Sequence, residues 1–221
     1  MTPSLRRWMP AALLAATAAI TACGHAAGAA PEPSPQPVAG DAATRSAARV
    51  RADSLRRPYT EADVRFMSDM IGHHAQALVM AAWVPTHGAN PSVRTLAARI
   101  INAQQDEIAT MKQWLGDRGR PVPEAHAMAM PGMLMPGMLT EAQMQALDQA
   151  AGPGFDRLFL KDMIQHHRGA VTMVQQLFDT PGAARDETVF KFANDVNADQ
   201  STEIARMETM LAALTSERSS P

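Results

Sequence analysis

From Tyr59 onward, apolar residues recur at intervals of three and four positions, without the alternation of apolar and polar residues that is typical of strands. The first of these segments predicts a helix that ends near Pro85, because its apolar residues fall on one stripe. That stripe is formed by Phe66, Met70, Ala77 and Met80. A second helix is predicted to begin at Asn90-Pro91 and to end at Gly116, since a cap residue followed by proline is typical of a helix start.

Further helices are predicted downstream. The sequence Thr140-Glu141-Ala142-Gln143 has the form of a capping box and opens a short helix, which Gly152-Pro153-Gly154 is expected to end. A long helix then runs from Phe155 to about Asp179, and the last one from about Asp186 to Leu214. The fold class predicted from this pattern is all-α.

The predicted helices form two similar pairs. Residues 66–74 read FMSDMIGHH and residues 159–167 read FLKDMIQHH, at an offset of 93 positions. In the helices that follow, Gln104, Glu107, Ile108 and Met111 correspond to Gln200, Glu203, Ile204 and Met207, at an offset of 96. Two copies of a helical hairpin bury their apolar stripes against each other, which predicts an antiparallel four-helix bundle. Its repeat halves lie at about 60–116 and 155–214, with a Met-rich connector over 117–154.

Each repeat places a histidine pair on its apolar face. At about 100° per residue, the first histidine of the pair falls on the stripe and the second at its edge. The pairs are His73 with His74 and His166 with His167, and the methionines that share their faces are Met70, Met80, Met163 and Met173. We expect these residues to be metal ligands. The alternatives are methionines that only fill the core and histidines that are hydrogen-bonded without metal.

Carboxylates accompany both histidine pairs. Asp69 and Asp162 each lie four residues before the first histidine of a pair, which is contact range on a helix. We expect them to hold a ring N–H and so to determine which nitrogen faces a metal. Glu107 and Glu203 are predicted to face inward near the same stripes, which leaves a mixed carboxylate–histidine site open.

The connector is rich in potential ligands. Residues 126–138 contain five methionines, one histidine and two Pro-Gly steps, which indicates a non-helical, exposed segment. The candidate ligands are His126, Met128, Met130, Met133, Met135 and Met138. Exposed methionines favour association and oxidation, so we expect this loop to contact metal. A hydrophobic lid over the end of the bundle is the alternative.

Thioether sulfur and imidazole nitrogen form a soft to borderline ligand set, which suits copper, above all Cu(I), better than Mg²⁺, Ca²⁺ or Mn²⁺. An iron site of the ferritin type needs Glu-x-x-His motifs, and the sequence has none. The 20 basic and 22 acidic residues give a formal charge of −2, so the chain has no basic surplus for nucleic acid. Its single cysteine excludes a disulfide framework.

The first 22 residues have the form of an export signal, because two arginines precede an apolar run over 11–20 that is too short to span a bilayer. The run leads into Ile20-Thr21-Ala22-Cys23, which resembles the lipobox of bacterial lipoproteins. We therefore expect Cys23 to carry lipid, with an ordinary secretory signal as the alternative. Residues 23–57 are rich in Pro and Ala and are predicted to form an extended linker that tethers the bundle, 58–216, to the cell envelope.

The pattern over residues 59–216 resembles the bacterial family known as domain of unknown function 305. Both His-His motifs carry the resemblance, together with Gln104…Glu107-Ile108…Met111 and the loop Met133-Leu134-Met135-Pro136-Gly137-Met138. It implies a ferritin-like four-helix bundle in an exported bacterial protein. Some members of the family are implicated in copper binding and copper tolerance outside the cytoplasm, which implies ligand roles for the histidine pairs, their neighbouring methionines and the loop.

We therefore expect a lipid-anchored, exported protein that sequesters or buffers copper without turnover. Its metal affinity is expected to fall as the pH falls through the histidine range. The expected partners are the metal ion, the membrane through the lipid, and a second copy of the chain or a copper-handling protein. Two alternatives remain: a bundle metalloenzyme with cuprous oxidase or peroxide chemistry, and a metal-free interaction module of the envelope whose loop binds a partner.

Overall fold

The computed structural model describes residues 58–87, 90–124 and 134–216, together with short stretches at 44–45, 48–49 and 51–52. The helices of the domain are α1 (Glu61–Trp83), α2 (Pro91–Asp117), α3 (Glu141–Gln149), α4 (Gly152–Asp179) and α5 (Glu187–Ser216). These described residues include no strand, and the predicted all-helical bundle of two hairpins is confirmed. None of the described helices has an apolar run long enough to cross a membrane.

The helices begin where the cap residues predict. Thr60 and Asp63 form a capping box at the start of α1, and Thr140 and Gln143 form another at the start of α3. Asn90 caps α2, which has proline in its first turn. These side chains accept hydrogen bonds from backbone N–H groups that every helix start leaves unpaired, so the local sequence determines where each helix begins.

Two local expectations are wrong. Gly152-Pro153-Gly154 does not end α3 but forms the first turn of α4, where proline is tolerated because its missing N–H would have no partner within the helix. Residues 44–45, 48–49 and 51–52 are helical, so the predicted linker is not extended throughout. This stretch follows the proline-rich part and is rich in Ala and Arg, which favour helix. Within it, Arg51 pairs with Asp117 at the end of α2.

The four long helices run antiparallel to their neighbours and bury two separate apolar cores. The Trp114 core includes Phe66, Met67, Met70, Ile71, Met111, Trp114, Leu115 and Met173, and the Phe159 core includes Ala77, Met80, Leu96, Ile100, Phe155, Phe159, Met163 and Met207. The buried core residues of α1 belong to the Trp114 core up to Ile71 and to the Phe159 core from Ala77, and those of the other long helices show a similar gap. Residues 72–76 of α1 therefore lie between the cores.

Packing is tight within each hairpin, α1 on α2 and α4 on α5, and α1 also packs on α4. In contrast, α2 and α5 make little direct contact. The duplication is visible where the hairpins meet. Asp63 accepts a hydrogen bond from the N–H of Ala184, ahead of α5, at 2.6 Å, and its counterpart Asp156 accepts one from the N–H of Asn90, ahead of α2, at 2.9 Å. Each hairpin thus caps the outer helix of the other.

The connector crosses the α1–α4 face as a strap formed by Leu134–Leu139. Its centre is a β-turn closed by a hydrogen bond of 3.1 Å from the Met138 N–H to the Met135 carbonyl. Pro136 takes the second position of the turn, and Gly137, with a φ of 74°, takes the third, where glycine is favoured. Met135 packs on the Trp114 core and Leu139 is buried in the Phe159 core, so the strap bridges the gap between them.

Side chains of α1 and α4 hold the strap in place. Gln76 donates to the Leu139 carbonyl at 3.0 Å and accepts from the Leu139 N–H at 2.8 Å, and Gln165 donates to the Gly137 carbonyl at 3.3 Å. Gly169 lies directly beneath the turn, where a side chain would collide with the Pro136 carbonyl. The backbones of the strap and α4 therefore touch, which requires glycine at this point.

We expect Gly169→Ala to unseat the strap and lower the free energy of unfolding by about 1–3 kcal/mol, because the added methyl group overlaps the Pro136 carbonyl. Gly154→Ala is the matched control, since a Cβ there meets nothing within 4 Å. It should leave stability unchanged or raise it by up to about 1 kcal/mol. Urea denaturation followed by circular dichroism measures both changes. Equal effects of the two substitutions would contradict the close packing of strap and helix.

Candidate metal centre

A polar layer fills the gap between the two apolar cores. It consists of two residues from each long helix, namely His73, His74, Gln104, Glu107, His166, His167, Gln200 and Glu203. The four imidazoles are fully buried, and the two amides are only 2% and 3% exposed. Burying so many polar groups costs free energy unless each of them finds a partner.

His73 and His166, one from each repeat, stack at the centre of the layer. Their ring centroids are 3.9 Å apart and their planes differ by 39°. The Nε2–H of His73 donates to the Pro136 carbonyl of the strap, and that of His166 donates to the backbone carbonyl of His73, both at 2.9 Å. Because a carbonyl oxygen only accepts, Nε2 carries the proton in both rings. In the neutral ring, Nδ1 is then left with a lone pair.

Burial holds both central rings neutral. Together with the neighbouring His74 ring as its second cause, burial lowers the pKa of His73 from 6.5 to about 3. The pKa of His166 is lowered well below 6.5, first by burial and then by the adjacent His73. The Nδ1 atoms of these two rings therefore stay unprotonated in mildly acidic solution, and the expected fall of metal affinity through the ordinary histidine range stays a prediction.

The second histidine of each pair faces a glutamate of the outer helix in its own hairpin. His167 Nε2–H donates to Glu203 at 2.8 Å, whereas His74 Nε2 lies 2.7 Å from Glu107 Oε2 at an angle unsuited to a hydrogen bond. The rings of the two pairs are spaced alike, with centroids 6.3 Å and 6.2 Å apart. Both repeats thus place a glutamate carboxylate against the second histidine of the pair, and the mixed carboxylate–histidine metal site stays a prediction.

The Nδ1 atoms of all four histidines are buried and have no hydrogen-bond partner among the described residues. Within that same part of the chain, both amide atoms of Gln104 and the Oε1 of Gln200 are also unpartnered. Buried polar atoms in folded proteins are nearly always paired, so a layer of unpaired ones points to a ligand or to ordered water. Lone pairs on neutral imidazoles are donors that soft and borderline metal ions use.

Asp69 and Asp162 do not hold the histidine rings, contrary to the expectation from their spacing. In the described residues the rings donate to backbone carbonyls and to Glu203, and Asp162 Oδ2 is itself without a partner. The spacing of four residues permits the contact, but the rings turn inward, where other acceptors lie within 2.9 Å. Burial raises the pKa of both aspartic acids.

The predicted methionine ligands lie on both sides of the polar layer. Met70 and Met163 are fully buried three residues before their histidine pairs, which is about 4.5 Å along the helix axis and places them beside the layer. Met80 is also fully buried and Met173 is 7% exposed, but each lies seven residues beyond the first histidine of its pair, about 10 Å along the axis. Their position inside the apolar cores favours packing over ligation.

In the sequence, Met111 and Met207 were identified only as corresponding positions of the two repeats and not as candidate ligands. Both are fully buried one helical turn after the glutamates of the layer. Met111 belongs to the Trp114 core and Met207 to the Phe159 core, so each lies on the same side of the layer as the methionine that precedes a histidine pair. Their recurrence in both repeats was the signal that could have identified them, as it was for Gln104 and Gln200.

Only the end of the methionine-rich loop lies in the described part of the chain. Met138 is 7% exposed and Met135 packs on the Trp114 core, so these two residues are not freely exposed as expected. They belong to the strap, which covers the middle of the α1–α4 face and not the end of the bundle, where the alternative placed a hydrophobic lid. Other predicted residues lie outside the described ranges, namely Cys23, His126, Met128, Met130 and Met133.

Among the described residues, no three His, Cys, Asp or Glu side chains converge in metal-binding geometry. A soft ion held by two ring nitrogens and a thioether needs fewer converging groups. The His73–His166 stack and the methionines beside the layer supply those donor types.

Residues 63–211 match the sequence profile of DUF305, a domain of unknown function. The chain belongs to the DUF305 family. The resemblance seen in the sequence is thereby confirmed over nearly all of α1, all of α2 to α4 and most of α5.

Solved DUF305 structures share the fold. A DUF305 fragment from Deinococcus radiodurans is 33% identical with a TM-score of 0.62, and covers 71% of this chain and 99% of its own. A Streptomyces coelicolor protein, whose name describes it as secreted, is 32% identical with a TM-score of 0.60, and the match covers 70% of this chain and 94% of that protein. CopM in its Cu(II)-bound form is 33% identical with a TM-score of 0.57, and the match covers 68% of this chain and 96% of CopM. CopM was also solved bound to Cu(I).

An uncharacterized protein of Acanthamoeba polyphaga mimivirus is 36% identical over 56 residues, which is 25% of this DUF305 chain. The chain matches 37% of the length of that relative.

The depressed histidine pKa values make stability sensitive to acid. Between the folded pKa of His73, about 3, and the ordinary value of 6.5, unfolding takes up a proton at this ring. The free energy of unfolding should therefore fall as the pH falls below 6.5, by ~1.4 kcal/mol per pH unit for each such ring. Denaturant titrations at steps from pH 7 to pH 4 measure this slope.

The double variant His73→Asn/His166→Asn should have a shallower pH dependence than the wild type over the same range. The buried carboxyl groups with raised pKa act in the opposite direction, since they bind a proton more readily in the folded state. They remain in the variant, so the difference between the two proteins isolates the histidines. Identical slopes would show that the rings are not buried as neutral groups.

Proposed function

We propose that this DUF305 protein binds monovalent copper in its polar layer and stores it outside the cytoplasm without turnover. The observation that carries the proposal is the set of four buried imidazole Nδ1 atoms, none with a hydrogen-bond partner among the described residues. Each repeat supplies two of them. Duplication of the hairpin thus doubled a set of nitrogen donors in the middle of the bundle.

The chemistry of the layer favours Cu(I) over hard, strongly hydrated cations. The central rings are neutral and expose lone pairs, so an entering ion displaces no proton from His73 or His166. Methionine sulfur lies one helical turn away, and nitrogen with sulfur is a ligand set for soft ions. A divalent ion would also lose more hydration energy than a monovalent one between two apolar cores.

The relatives support copper as the cargo. CopM, about one third identical to this chain, was solved with Cu(II), Cu(I) and silver. Export is supported by the signal-like N-terminus and by the relative from Streptomyces coelicolor, whose name describes it as a secreted protein. Attachment to the cell envelope through lipid on Cys23 belongs to the same proposal.

Storage rather than catalysis is inferred from the burial of the layer. A catalytic metal keeps a coordination position open to its substrate. The four imidazoles have no exposed surface, and the strap lies over His73 on the α1–α4 face. This arrangement suits retention of an ion better than repeated access of dioxygen or peroxide.

The proposal is tested by competition with a chromophoric Cu(I) chelator. The wild-type protein should remove Cu(I) from the chelator, and His73→Asn/His166→Asn should weaken the affinity by roughly 100-fold, since ligands and their partners contribute factors of this size. His87→Asn is the matched control, because that ring lies at the end of the bundle between the carbonyls of Trp83 and Asp148.

Circular dichroism establishes that each variant is folded. Equal Cu(I) affinity in the wild type and the double variant would refute the polar layer as the copper site. An oxygen electrode distinguishes storage from catalysis, because the copper-loaded protein should not consume dioxygen beyond a single turnover. Sustained consumption would favour the oxidase instead.

A further inference from the structure

We propose that copper ions reach the polar layer between α2 and α5, along an acidic stripe formed by Asp195, Asp199 and Glu203. The inference rests on the proposed function and names the route by which that site is loaded. It predicts that charge on the surface of α5 determines how fast the protein takes up a cation.

The acidic stripe leads from the surface of α5 into the layer. Its members are spaced by four residues, and each step turns about 40° around the helix. The Asp195 side chain is 53% exposed and pairs with Lys191, whereas Glu203 is 19% exposed and accepts a hydrogen bond from the buried His167. A cation moving along the stripe therefore passes from solvent to an imidazole while staying close to carboxylate oxygens.

Glu107 of α2 faces the acidic stripe from the opposite side of the groove. Its carboxylate contacts the His74 ring at 2.7 Å. It is also close enough to Asp199 to raise the pKa of that carboxyl group, after burial as the first cause, and Asp195 and Glu203 contribute further. Four carboxyl groups thus share one groove. Their mutual repulsion is relieved by a cation, and such a surface raises the local cation concentration.

Buried polar atoms continue the route inward from the carboxylates. Gln104 lies on the inward face of α2, one turn before Glu107, and it is 2% exposed with both amide atoms unpartnered in the described residues. Gln200 of α5 is 3% exposed, and its Oε1 is likewise unpartnered there. The groove therefore leads to polar atoms that have capacity to bind, not to a closed apolar core.

The opposite face of the layer is closed. The strap covers the α1–α4 side, where Pro136 accepts the hydrogen bond of His73 and Gly169 touches the strap backbone. Because α2 and α5 make little contact with each other, the glutamates between them keep part of their surface in solvent. The layer is thus reached from the α2–α5 side.

The pseudo-symmetric route lacks this charge pattern. The first-repeat counterparts of Asp195 and Asp199 are Arg99 and Ala103. Arg99 and Arg206 line a cavity of about 540 Å³ between α2 and α5. The groove between α2 and α5 is therefore acidic along the stripe and basic near Arg99 and Arg206. Electrostatic attraction should draw cations along the acidic route and not along its pseudo-symmetric counterpart.

The test measures the association rate of aqueous Ag(I), a redox-stable monovalent probe, with the full chain. Unbound Ag(I) is trapped by a chromophoric chelator at increasing delays after mixing. Asp195→Asn/Asp199→Asn should slow association roughly three- to tenfold at low ionic strength, and the difference should shrink at high salt. The equilibrium affinity should change less than the rate, because both aspartates lie outside the polar layer.

Glu141→Gln/Asp179→Asn is the matched control, since it removes the same charge from exposed positions outside α2 and α5 and should bind at the wild-type rate. Arg99→Gln/Arg206→Gln should bind at least as fast as the wild type. An unchanged association rate in the aspartate variant, or equal slowing in the control, would refute the proposed entry route. Neither result would contradict the proposed copper site. If the wild type binds neither Ag(I) nor Cu(I), the proposed function fails and the entrance fails with it.

Discussion

Removing four imidazole rings from water is the constraint on which the rest of this structure depends. A buried ring is costly unless its N–H is bonded, and the strap carbonyl, the His73 carbonyl and Glu203 each accept one of these hydrogen bonds. Every ring then retains an unpaired Nδ1, which no group in the described residues satisfies. The bundle thus supplies hydrogen bonds to three of the eight ring nitrogens, and a soft cation would bind lone pairs that remain.

The fold was predictable because its determinants are local. Cap residues such as Thr60 and Thr140 define helix starts, and the repeat of the His-His motif identifies the duplicated hairpin. The partners of the rings were not predictable in the same way. Helical spacing placed Asp69 within reach of His73, but the ring bonds instead to Pro136, which is 63 positions away in sequence. Such pairings depend on tertiary packing, which a stripe on one helix does not specify.

The gap between the two cores could have been predicted from the sequence, whereas the strap that covers it could not. Polar residues interrupt each apolar stripe at the same level, with Gln104 and Gln200 as the outer-helix examples. The Met-rich loop was interpreted as an exposed ligand carrier, yet its end, with Met138, is buried against the bundle. Pro-Gly steps mark a turn but do not reveal the surface on which that turn rests.

Glycine and glutamine follow one another in opposite order on the two helices beneath the strap. The helix α1 carries Gly72 and then Gln76, whereas the corresponding positions of α4 hold Gln165 and then Gly169. In a dimer of two identical hairpins, the two central helices would have the same sequence. A segment that crosses them could then run in either direction with the same contacts. Here only α4 has glycine beneath the turn, at Gly169, so the two halves differ at the strap. The strap therefore crosses the α1–α4 face in one direction only, because Gln76 of α1 bonds its Leu139 end and Gly169 of α4 lies beneath its turn.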